Sequence, residues 1–487
     1  MLTKTPAAEE ARPRRTRLLY GLGTVAFGVK DQGFNALLML FYNQVIGLPA
    51  TWVGAAIMIA MVADALFDPL LGQYSDDFRS RWGRRHPFMY AAALPIAISY
   101  LFLWSPPAAS PEAQFMWLLV SAIVVRLSIS LYEIPSTALL AEFTGDYDER
   151  TRLVAARYFF GVCGGIVMTV ITFNYLLRPT AEQPVGQLNA AGYTTYAWVA
   201  STVMLLSVLI SSLGTQKRAL QRPSPPPTER KPVGLLLREM GGVLVHPAYI
   251  SIISASLFFA IASGLSTSLA VYFSTYFWGL SSAQIAAVAS TSVVGIVLAF
   301  VVALPLSRRI GKKHAAMVMY ALSLVASVTP LVLRMAGLFP ANGDPLLLWL
   351  LMAQLSLNIA GFIGGSILAV SMIADVTDQI QLETGRRSEG LLFSAATMIG
   401  KAVSGMGILM AGVVLTLVGF PDQAQPGQVG QGVLNSLALV FVLATALSTG
   451  IAILCLSRYP ISRQQHLENV QRLARRAAAG DAERVRP

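Results

Sequence analysis

Residues 51–85 read TWVGAAIMIAMVADALFDPLLGQYSDDFRSRWGRR, and this stretch decides the fold. Its first part, 51–75, is long enough to cross a bilayer, which takes about 20 mostly apolar residues. It carries two carboxylates, Asp64 and Asp68, and four arginines follow between positions 79 and 85. An apolar segment that ends in a basic connection is typical of a membrane-spanning helix whose C-terminal end lies in the cytoplasm.

The composition of the whole chain agrees with a membrane protein. Of its 487 residues, 55% are hydrophobic and only 13% are charged, and the mean hydropathy is +0.59. Soluble domains carry about 25% charged residues, and disordered chains combine low hydrophobicity with high net charge, so both classes are excluded. The two cysteines lie in apolar runs and the four histidines have no short paired spacing, so we expect neither a metal site nor a cofactor.

Twelve apolar segments are long enough to span a bilayer, six on either side of a proline-rich break. They lie near 18–46, 51–75, 88–104, 113–141, 153–176, 195–213, 249–278, 284–306, 315–333, 346–374, 388–418 and 432–456. We predict an all-α membrane protein with two six-helix bundles, 18–215 and 249–457, joined by a cytoplasmic central loop, 216–248. A cytoplasmic arm, 1–17, and a cytoplasmic tail, 458–487, complete the chain.

The basic residues predict the orientation of these spans. In a twelve-span topology, 30 of the 36 lysines and arginines fall on one side, and only Arg178 and Arg334 fall on the other. This is the positive-inside distribution, so we expect both termini in the cytoplasm. The orientation of the spans in the membrane then explains the net charge of +11, and we expect no nucleic-acid partner.

The two halves of the chain resemble each other. Span 4 ends in an acidic Thr-Gly-Asp connection near residue 144. Span 10 ends in an acidic Asp-Val-Thr-Asp connection near residue 375, and two basic residues follow each connection. Loops 2–3 and 8–9 share a glycine followed by two basic residues, at Gly83 and Gly311. Parallel repeats of six spans predict the major facilitator fold, with chance similarity between apolar sequences as the alternative.

Two carboxylates on one face of span 2 are the clearest indication of a functional site within the spans. An ionisable side chain costs about 2.5–3.5 kcal/mol at the bilayer centre, so each one needs a reason. Asp64 and Asp68 are one helical turn apart and repel each other, which favours a proton or an alkali cation between them. The alternative is that Asp68-Pro69 only ends a turn and that Asp64 pairs with a basic residue.

Other charges in the spans predict further sites. Lys401 lies midway along span 11, either as a counter-ion for a carboxylate on a facing helix or as a snorkelling side chain. Matched charges occur on three helices of the first half at Lys30, Asp31, Glu133 and Arg157. They predict a cavity for a polyhydroxylated or acidic solute, or else a structural salt-bridge network. Arg126 is interpreted as structural.

Charged residues in the connections predict a cytoplasmic gate that locks one conformation. These residues are Arg84, Arg85, Glu142, Asp146, Arg150, Asp375 and Arg386.

Three stretches closely resemble the glycoside–pentoside–hexuronide:cation symporter family. They are Gly28-Val29-Lys30-Asp31, then Asp64 to Gly72 with its continuation to Pro87, and Ala374 to Asp378 with its continuation through Gly390 to Lys401. The resemblance implies a cation-coupled symporter of the major facilitator superfamily in a bacterial inner membrane. Its partners would be a small-molecule solute, H⁺ or Na⁺ and the lipid bilayer, and one chain would suffice as a monomer.

Position by position, the resemblance also implies site residues. The cation site falls on Asp64, Asp68 and Ser130, and Lys401 falls beside it. The sugar contacts of the family fall on Lys30, Asp31, Glu133 and Arg157.

Two departures from the family pattern bear on specificity. Phe67 stands where the sodium-coupled melibiose transporter has an asparagine, which favours a proton over sodium. Ser136-Thr137 replaces an aromatic pair that stacks on the sugar, which disfavours a galactoside. Because the family also resembles lysolipid symporters, an amphipathic or acidic solute such as a lysolipid is the alternative to a sugar.

Other function classes fit the sequence poorly. A membrane-embedded enzyme would need a nucleophile–base set or metal ligands at membrane depth, and the four histidines lie in loops, near span ends or in the tail. A sensor on a transporter scaffold would need a long soluble domain. We therefore predict that the protein is not an enzyme.

Overall fold

The structure, a computed structural model, describes residues 6–144, 146–220, 246–384 and 389–484. All the regular secondary structure within these ranges is helical. The α-helices are α1 (Pro6–Leu22), α2 (Val25–Gln32), α3 (Leu38–Leu40), α4 (Ala50–Asp77), α5 (His86–Leu103), α6 (Pro111–Phe143), α7 (Tyr147–Ile171), α8 (Ala190–Leu220), α9 (Pro247–Tyr272), α10 (Ser282–Ser290), α11 (Ser292–Met335), α12 (Pro345–Thr384), α13 (Glu389–Leu417), α14 (Gln431–Ser457) and α15 (Arg463–Arg484). The predicted all-α class is confirmed.

The first apolar segment is helical but changes its winding. Wider π-helical turns, Gly33–Leu37 and Phe41–Ile46, follow α2 and α3. Gly47 then ends the segment with a φ of 97°, and its N–H donates to the carbonyl of Tyr42 over 3.1 Å. Glycine adopts this left-handed backbone without steric cost, so it is suited to stop a helix.

Side chains cap the two helices that carry most of the candidate site. Ser110 precedes α6, and its hydroxyl accepts from the N–H of Ala113. Asp146 precedes α7, and its carboxylate accepts from the N–H of Glu149 over 2.7 Å. These caps satisfy backbone donors that have no partner inside the helix.

Ten helices in the described ranges are long and apolar enough to cross a membrane. They are α4 to α9, the continuous α10–α11, and α12, α13 and α14. The α10–α11 helix has 54 residues, and Gly311 within it has a φ of 82°. A straight helix of that length would measure roughly 80 Å against a hydrocarbon core of about 30 Å, so the left-handed glycine marks a break inside it. The described ranges thus contain ten long apolar helices where twelve crossings are predicted, and the break at Gly311 divides one of the ten.

The described residues form two compact units. The first is drawn from Met1–Glu229, Thr267–Ser290 and Ile408–Leu434, and the second from Arg230–Ser266, Thr291–Gly407 and Asn435–Pro487. Divisions fall inside α9, α13 and α14, so each of these helices contributes to both units, and another falls between α10 and α11. In the second unit, the core contains Phe259 stacked on Tyr320, with ring centroids 3.8 Å apart.

The surface of the helices is apolar. Leu66, Tyr158, Leu213, Trp349 and Leu447 are between 64% and 73% exposed. Soluble monomers rarely expose large contiguous apolar patches, whereas lipid tails cover such side chains. This exposure agrees with a multi-pass membrane protein.

Glycine lets α2 and α7 pack backbone against backbone. A Cβ atom on Gly28 would lie 2.0 Å from the carbonyl oxygen of Gly161 and 2.6 Å from the nitrogen of Gly165. A Cβ atom on Gly164 is also tight, at 3.0 Å from Val25. Small residues of this kind permit close helix contact in membranes, where the hydrophobic effect does not drive association.

A polar cluster, buried except for the exposed Asp422, ties three chain segments of the first unit together. We call it the Gln44 cluster, and its members are Asn43, Gln44, Tyr272, Tyr276 and Asp422. The side-chain oxygen of Gln44 accepts from the hydroxyl of Tyr276 over 3.0 Å and from the N–H of Ala424 over 2.8 Å. Asn43 donates to Asp422 over 2.5 Å and accepts from the hydroxyl of Tyr272 over 2.8 Å. Desolvation raises the pKa of Asp422, and the hydrogen bond from Asn43 acts in the opposite direction.

Replacing Gly28 by alanine is expected to destabilise the protein by about 1–3 kcal/mol, because the added methyl group has no room against α7. The matched control is Gly450→Ala on α14, where a Cβ atom would meet nothing within 4 Å. Its stability should hold or rise by about 0.5–1 kcal/mol, since alanine favours helix. Thermal unfolding in detergent measures both variants, and equal midpoints would contradict the close packing of α2 on α7.

Candidate functional site

Side chains of α6 bind both carboxylate oxygens of Asp64. Arg126 Nη2 lies 2.9 Å from Asp64 Oδ2, and Ser130 Oγ lies 2.5 Å from Asp64 Oδ1. The side chains of Asp64 and Arg126 are only 4% and 5% exposed. We call these three residues the Asp64 triad. It satisfies the general requirement that a buried charge be paired and hydrogen-bonded.

The spacing along α6 explains how the Asp64 triad forms. Arg126 and Ser130 are four residues apart, so they project from the same helix face toward α4. The guanidinium of Arg126 also lies over the ring of Phe34, with 5.6 Å between its Cζ atom and the ring centroid. Phe34 belongs to the first π-helical turn, so α4, α6 and the first segment converge on this arginine. A cation over an aromatic face is a favourable contact.

Asp68 lies one turn beyond Asp64 on α4 and is half-buried. The helix continues through Pro69 to Asp77, so the alternative that Asp68-Pro69 ends a turn is wrong. Proline has no N–H, which leaves the carbonyl of Ala65 without its usual helical partner. The other half of that alternative, a basic partner for Asp64, is what the structure contains.

Lys401 is half-buried on α13 and belongs to the second unit, whereas the Asp64 triad belongs to the first. Its predicted role beside the two carboxylates stays a prediction.

Lys30 and Asp31 pair with each other near the end of α2. Lys30 Nζ lies 2.7 Å from Asp31 Oδ1, and the Lys30 side chain is 10% exposed while that of Asp31 is 56% exposed. The first π-helical turn begins two residues later, and such turns often occur at functional sites. The pair thus offers an accessible carboxylate that is anchored by a buried ammonium group.

Arg157 is held by two hydroxyl groups of α6. Its guanidinium donates to Ser136 Oγ over 3.1 Å and to Thr137 Oγ1 over 2.9 Å. Both hydroxyls in turn donate to the carbonyl of Glu133, over 3.0 and 2.8 Å. The ring of Tyr20 lies under the guanidinium, 5.0 Å from Cζ to centroid. Predicted solute residues on α6 and α7 are therefore joined through Ser136 and Thr137.

The predicted gate residues on the connection after α4 gather around Glu142. Arg84 Nη2 lies 2.6 Å from the Glu142 carboxylate, and Arg85 Nε lies 3.5 Å from it. Arg85 also bonds Ser75 and Asp76 near the end of α4. The α4–α5 connection is thereby fastened to the end of α6.

The remaining gate residues have separate environments. Asp146 caps α7, and Arg150 is exposed. Asp375 binds Lys312 Nζ at 2.7 Å, and His466 Nδ1 lies 3.3 Å from it. Arg386 lies outside the described residues.

Three features of the structure go beyond the sequence predictions. Arg126, predicted to be structural, pairs with Asp64, and its spacing of four residues from Ser130 and seven from Glu133 places it on the predicted site face of α6. Ser136-Thr137 was interpreted only as a lost aromatic pair. The Gln44 cluster had no signal, because its partners are more than 200 residues apart in the sequence.

Among the residues that the structure describes, no group of three histidine, cysteine, aspartate or glutamate side chains is placed to hold a metal ion. The chemistry that this arrangement can supply is ion pairing, hydrogen bonding and proton exchange at carboxylates.

Relatives of this chain match it over most of both sequences. An isoprimeverose transporter of Lactiplantibacillus pentosus is 24% identical over 93% of this chain and 89% of its own. A glucuronide carrier protein homolog of Escherichia coli (strain K12) is 24% identical over 88% of this chain and 89% of its own. The sodium-dependent lysophosphatidylcholine symporter 1 of Gallus gallus is 22% identical over 96% and 91%.

Solved structures agree on the fold. The inward open conformation of the xylose transporter XylE from E. coli matches with a TM-score of 0.62, at 14% identity, over 94% of this chain and 98% of that one. At this identity the likeness shows the fold alone.

The resemblance to glycoside–pentoside–hexuronide:cation symporters is confirmed by these relatives, and the protein is a membrane transport protein. Its long apolar helices and exposed apolar surface agree with that conclusion. With residues 19–463 matched by the family model, the chain belongs to the MFS/sugar transport protein family.

Proposed function

We propose that the protein is a secondary active transporter that moves a small polar solute, a sugar or glycoside, together with a cation, and that the cation is a proton rather than sodium. The observation that carries the proposal is the carboxylate pair on α4, with Asp64 buried against Ser130 and Arg126. Carboxylates at membrane depth are rare and mark ion and proton pathways.

Coupling follows from neutralisation of this pair. A cation bound at Asp64 and Asp68 lowers the repulsion on α4 and orders α4 against α6, which raises the affinity for solute. By linkage, the solute raises the affinity for the cation by the same factor. Alternating access then releases both on the other side of the membrane.

The solute would be bound by the charged groups of α2, α6 and α7. Asp31 supplies an accessible acceptor, and Arg157 supplies several donors that Ser136 and Thr137 orient. Glu133 lies on the same turn of α6 as these hydroxyls. Such convergent donors and acceptors suit hydroxyl-rich solutes, and two relatives are named for isoprimeverose and glucuronide.

The chain would cross the membrane twelve times. The break at Gly311 supports two crossings within the α10–α11 helix, and the segment from Val25 to Ile46 supports a first crossing made of short helical pieces. The distribution of basic residues supports cytoplasmic termini, and the bacterial relatives support an inner membrane. A monomer would need only solute, cation and bilayer, with no cofactor, nucleic acid or enzymatic activity.

The second candidate is symport of an amphipathic solute such as a lysolipid. It is favoured by the sodium-dependent lysophosphatidylcholine symporter among the relatives and by Ser136-Thr137, which offers no aromatic platform for a sugar. Uptake by proteoliposomes under separate proton and sodium gradients, with a panel of glycosides, hexuronides and a lysophosphatidylcholine, decides between the two. Sodium-driven accumulation of the lysolipid alone would overturn the sugar proposal.

Asp68→Asn is expected to abolish accumulation of the solute, so that its inside-to-outside ratio falls to about one, because an uncoupled carrier only equilibrates its solute. Solute exchange without a gradient should persist. Accumulation in proteoliposomes under an imposed pH difference is the measurement, and Glu182→Gln, at an exposed carboxylate, is the matched control. Full accumulation by Asp68→Asn would show that this carboxylate does not couple.

Thr137→Val is expected to raise the KM of uptake by about tenfold with little change in kcat, because Arg157 loses an acceptor and its orientation, and a hydrogen bond to a charged group contributes about 1.5–3 kcal/mol. Thr195→Val is the control, since its hydroxyl only donates to a carbonyl of its own helix. An unchanged KM would remove Arg157 from the proposed solute site.

Arg84→Glu is expected to slow uptake about tenfold, because it sets two like charges against each other where Arg84 and Glu142 now pair. The exchange variant Arg84→Glu/Glu142→Arg should recover most of the rate. Initial uptake rates, normalised to folded protein, give the comparison. Wild-type uptake by the single variant would contradict a gate at this connection.

A further inference from the structure

We infer that Arg126 is a resident cation at Asp64 that excludes alkali cations from the coupling site. The inference rests on the proposed cation-coupled transport and deepens it by naming the residue that selects the ion.

Both oxygens of the Asp64 carboxylate are already engaged. One accepts a charge-assisted hydrogen bond from Arg126 at 2.9 Å, and the other accepts from Ser130 at 2.5 Å. An alkali cation binds several oxygen ligands at once and would have to share these oxygens with the guanidinium and the hydroxyl group. A proton needs a single carboxylate oxygen and no coordination shell.

Electrostatics acts in the same direction. The guanidinium neutralises the charge of Asp64, and it lies within hydrogen-bond distance of the atoms that a metal cation would have to approach. Like charges repel strongly where both are removed from water. Together the guanidinium and the Asp64 carboxylate carry no net charge, so they attract a metal cation less than the carboxylate alone would.

Arg126 is suited to stay in this position. Arginine keeps its charge at any physiological pH, so it cannot yield its place by losing a proton as a lysine can. Its guanidinium is held between the Asp64 carboxylate and the ring of Phe34, from a different segment of the first unit. The cation at Asp64 is thus held by two contacts, one with the carboxylate and one with the aromatic ring.

Folding stability does not explain why the pair is kept. Removing two charges from water is costly, and replacing a buried ion pair with apolar residues is often neutral or stabilising. A buried pair at a predicted coupling position is better explained by ion selection.

The test is Na⁺ binding by purified protein in detergent at pH 8, read as the thermal unfolding midpoint in NaCl or LiCl against choline chloride. Wild type should show no saturable difference between the salts. Arg126→Gln, which frees Asp64 but keeps the volume and polarity of the side chain, should gain a saturable rise of at least about 1 °C in NaCl. Arg126→Lys, which keeps the charge, should stay insensitive.

The double variant Asp64→Asn/Arg126→Gln separates ion binding from a general effect of the substitution. It removes both charges and should lack the response to NaCl. A saturable response of wild type to NaCl would overturn the inference even if Arg126→Gln failed to fold, and so would a folded Arg126→Gln without a response or a double variant that responds to NaCl as Arg126→Gln does. The salt response needs no solute, so it stands whether or not sugar transport is found.

Discussion

An ionised side chain inside a membrane span has no water to solvate it, and the arrangement of the first unit follows from that constraint. Asp64 is matched by Arg126 and Ser130, and Lys30 is matched by Asp31. Four of these five residues are ones that the family pattern assigns to ion or solute binding, and Arg126 is the fifth. The ion pairs that compensate charge at membrane depth therefore involve residues of the candidate site.

Helix packing makes these matches geometrically possible. Because Gly28 and Gly161 let α2 and α7 touch through their backbones, Arg157 on α7 lies beside the first segment and over the ring of Tyr20. Ser136 and Thr137 then bring α6 to the same guanidinium. Arg157 on α7 therefore contacts both α1 and α6, and small shifts among these three helices would change the orientation of its guanidinium.

The sequence predicts the class and family well, because charges within apolar runs and basic connections are local signals. Asp64 and Asp68 stand out for this reason, and the motif around them carries the family resemblance. Pairing across helices is not local: nothing in the sequence measures the distance from α4 to α6, so the sequence leaves open which basic residue pairs with Asp64. The break at Gly311 was readable as a glycine before two lysines, whereas the partners of Gln44 depend on contacts between segments more than 200 residues apart.

The Gln44 cluster has a kinetic consequence. One oxygen of Gln44 serves two donors, and Asn43 both donates and accepts within the same group, so the bonds share atoms and cannot be lost one at a time without leaving buried partners unsatisfied. Asp422 is already exposed, so separation of these segments would need water to reach the buried atoms of Asn43 and Gln44 and of their tyrosine partners. We therefore expect the junction to open as a unit, at a rate set by how often water enters.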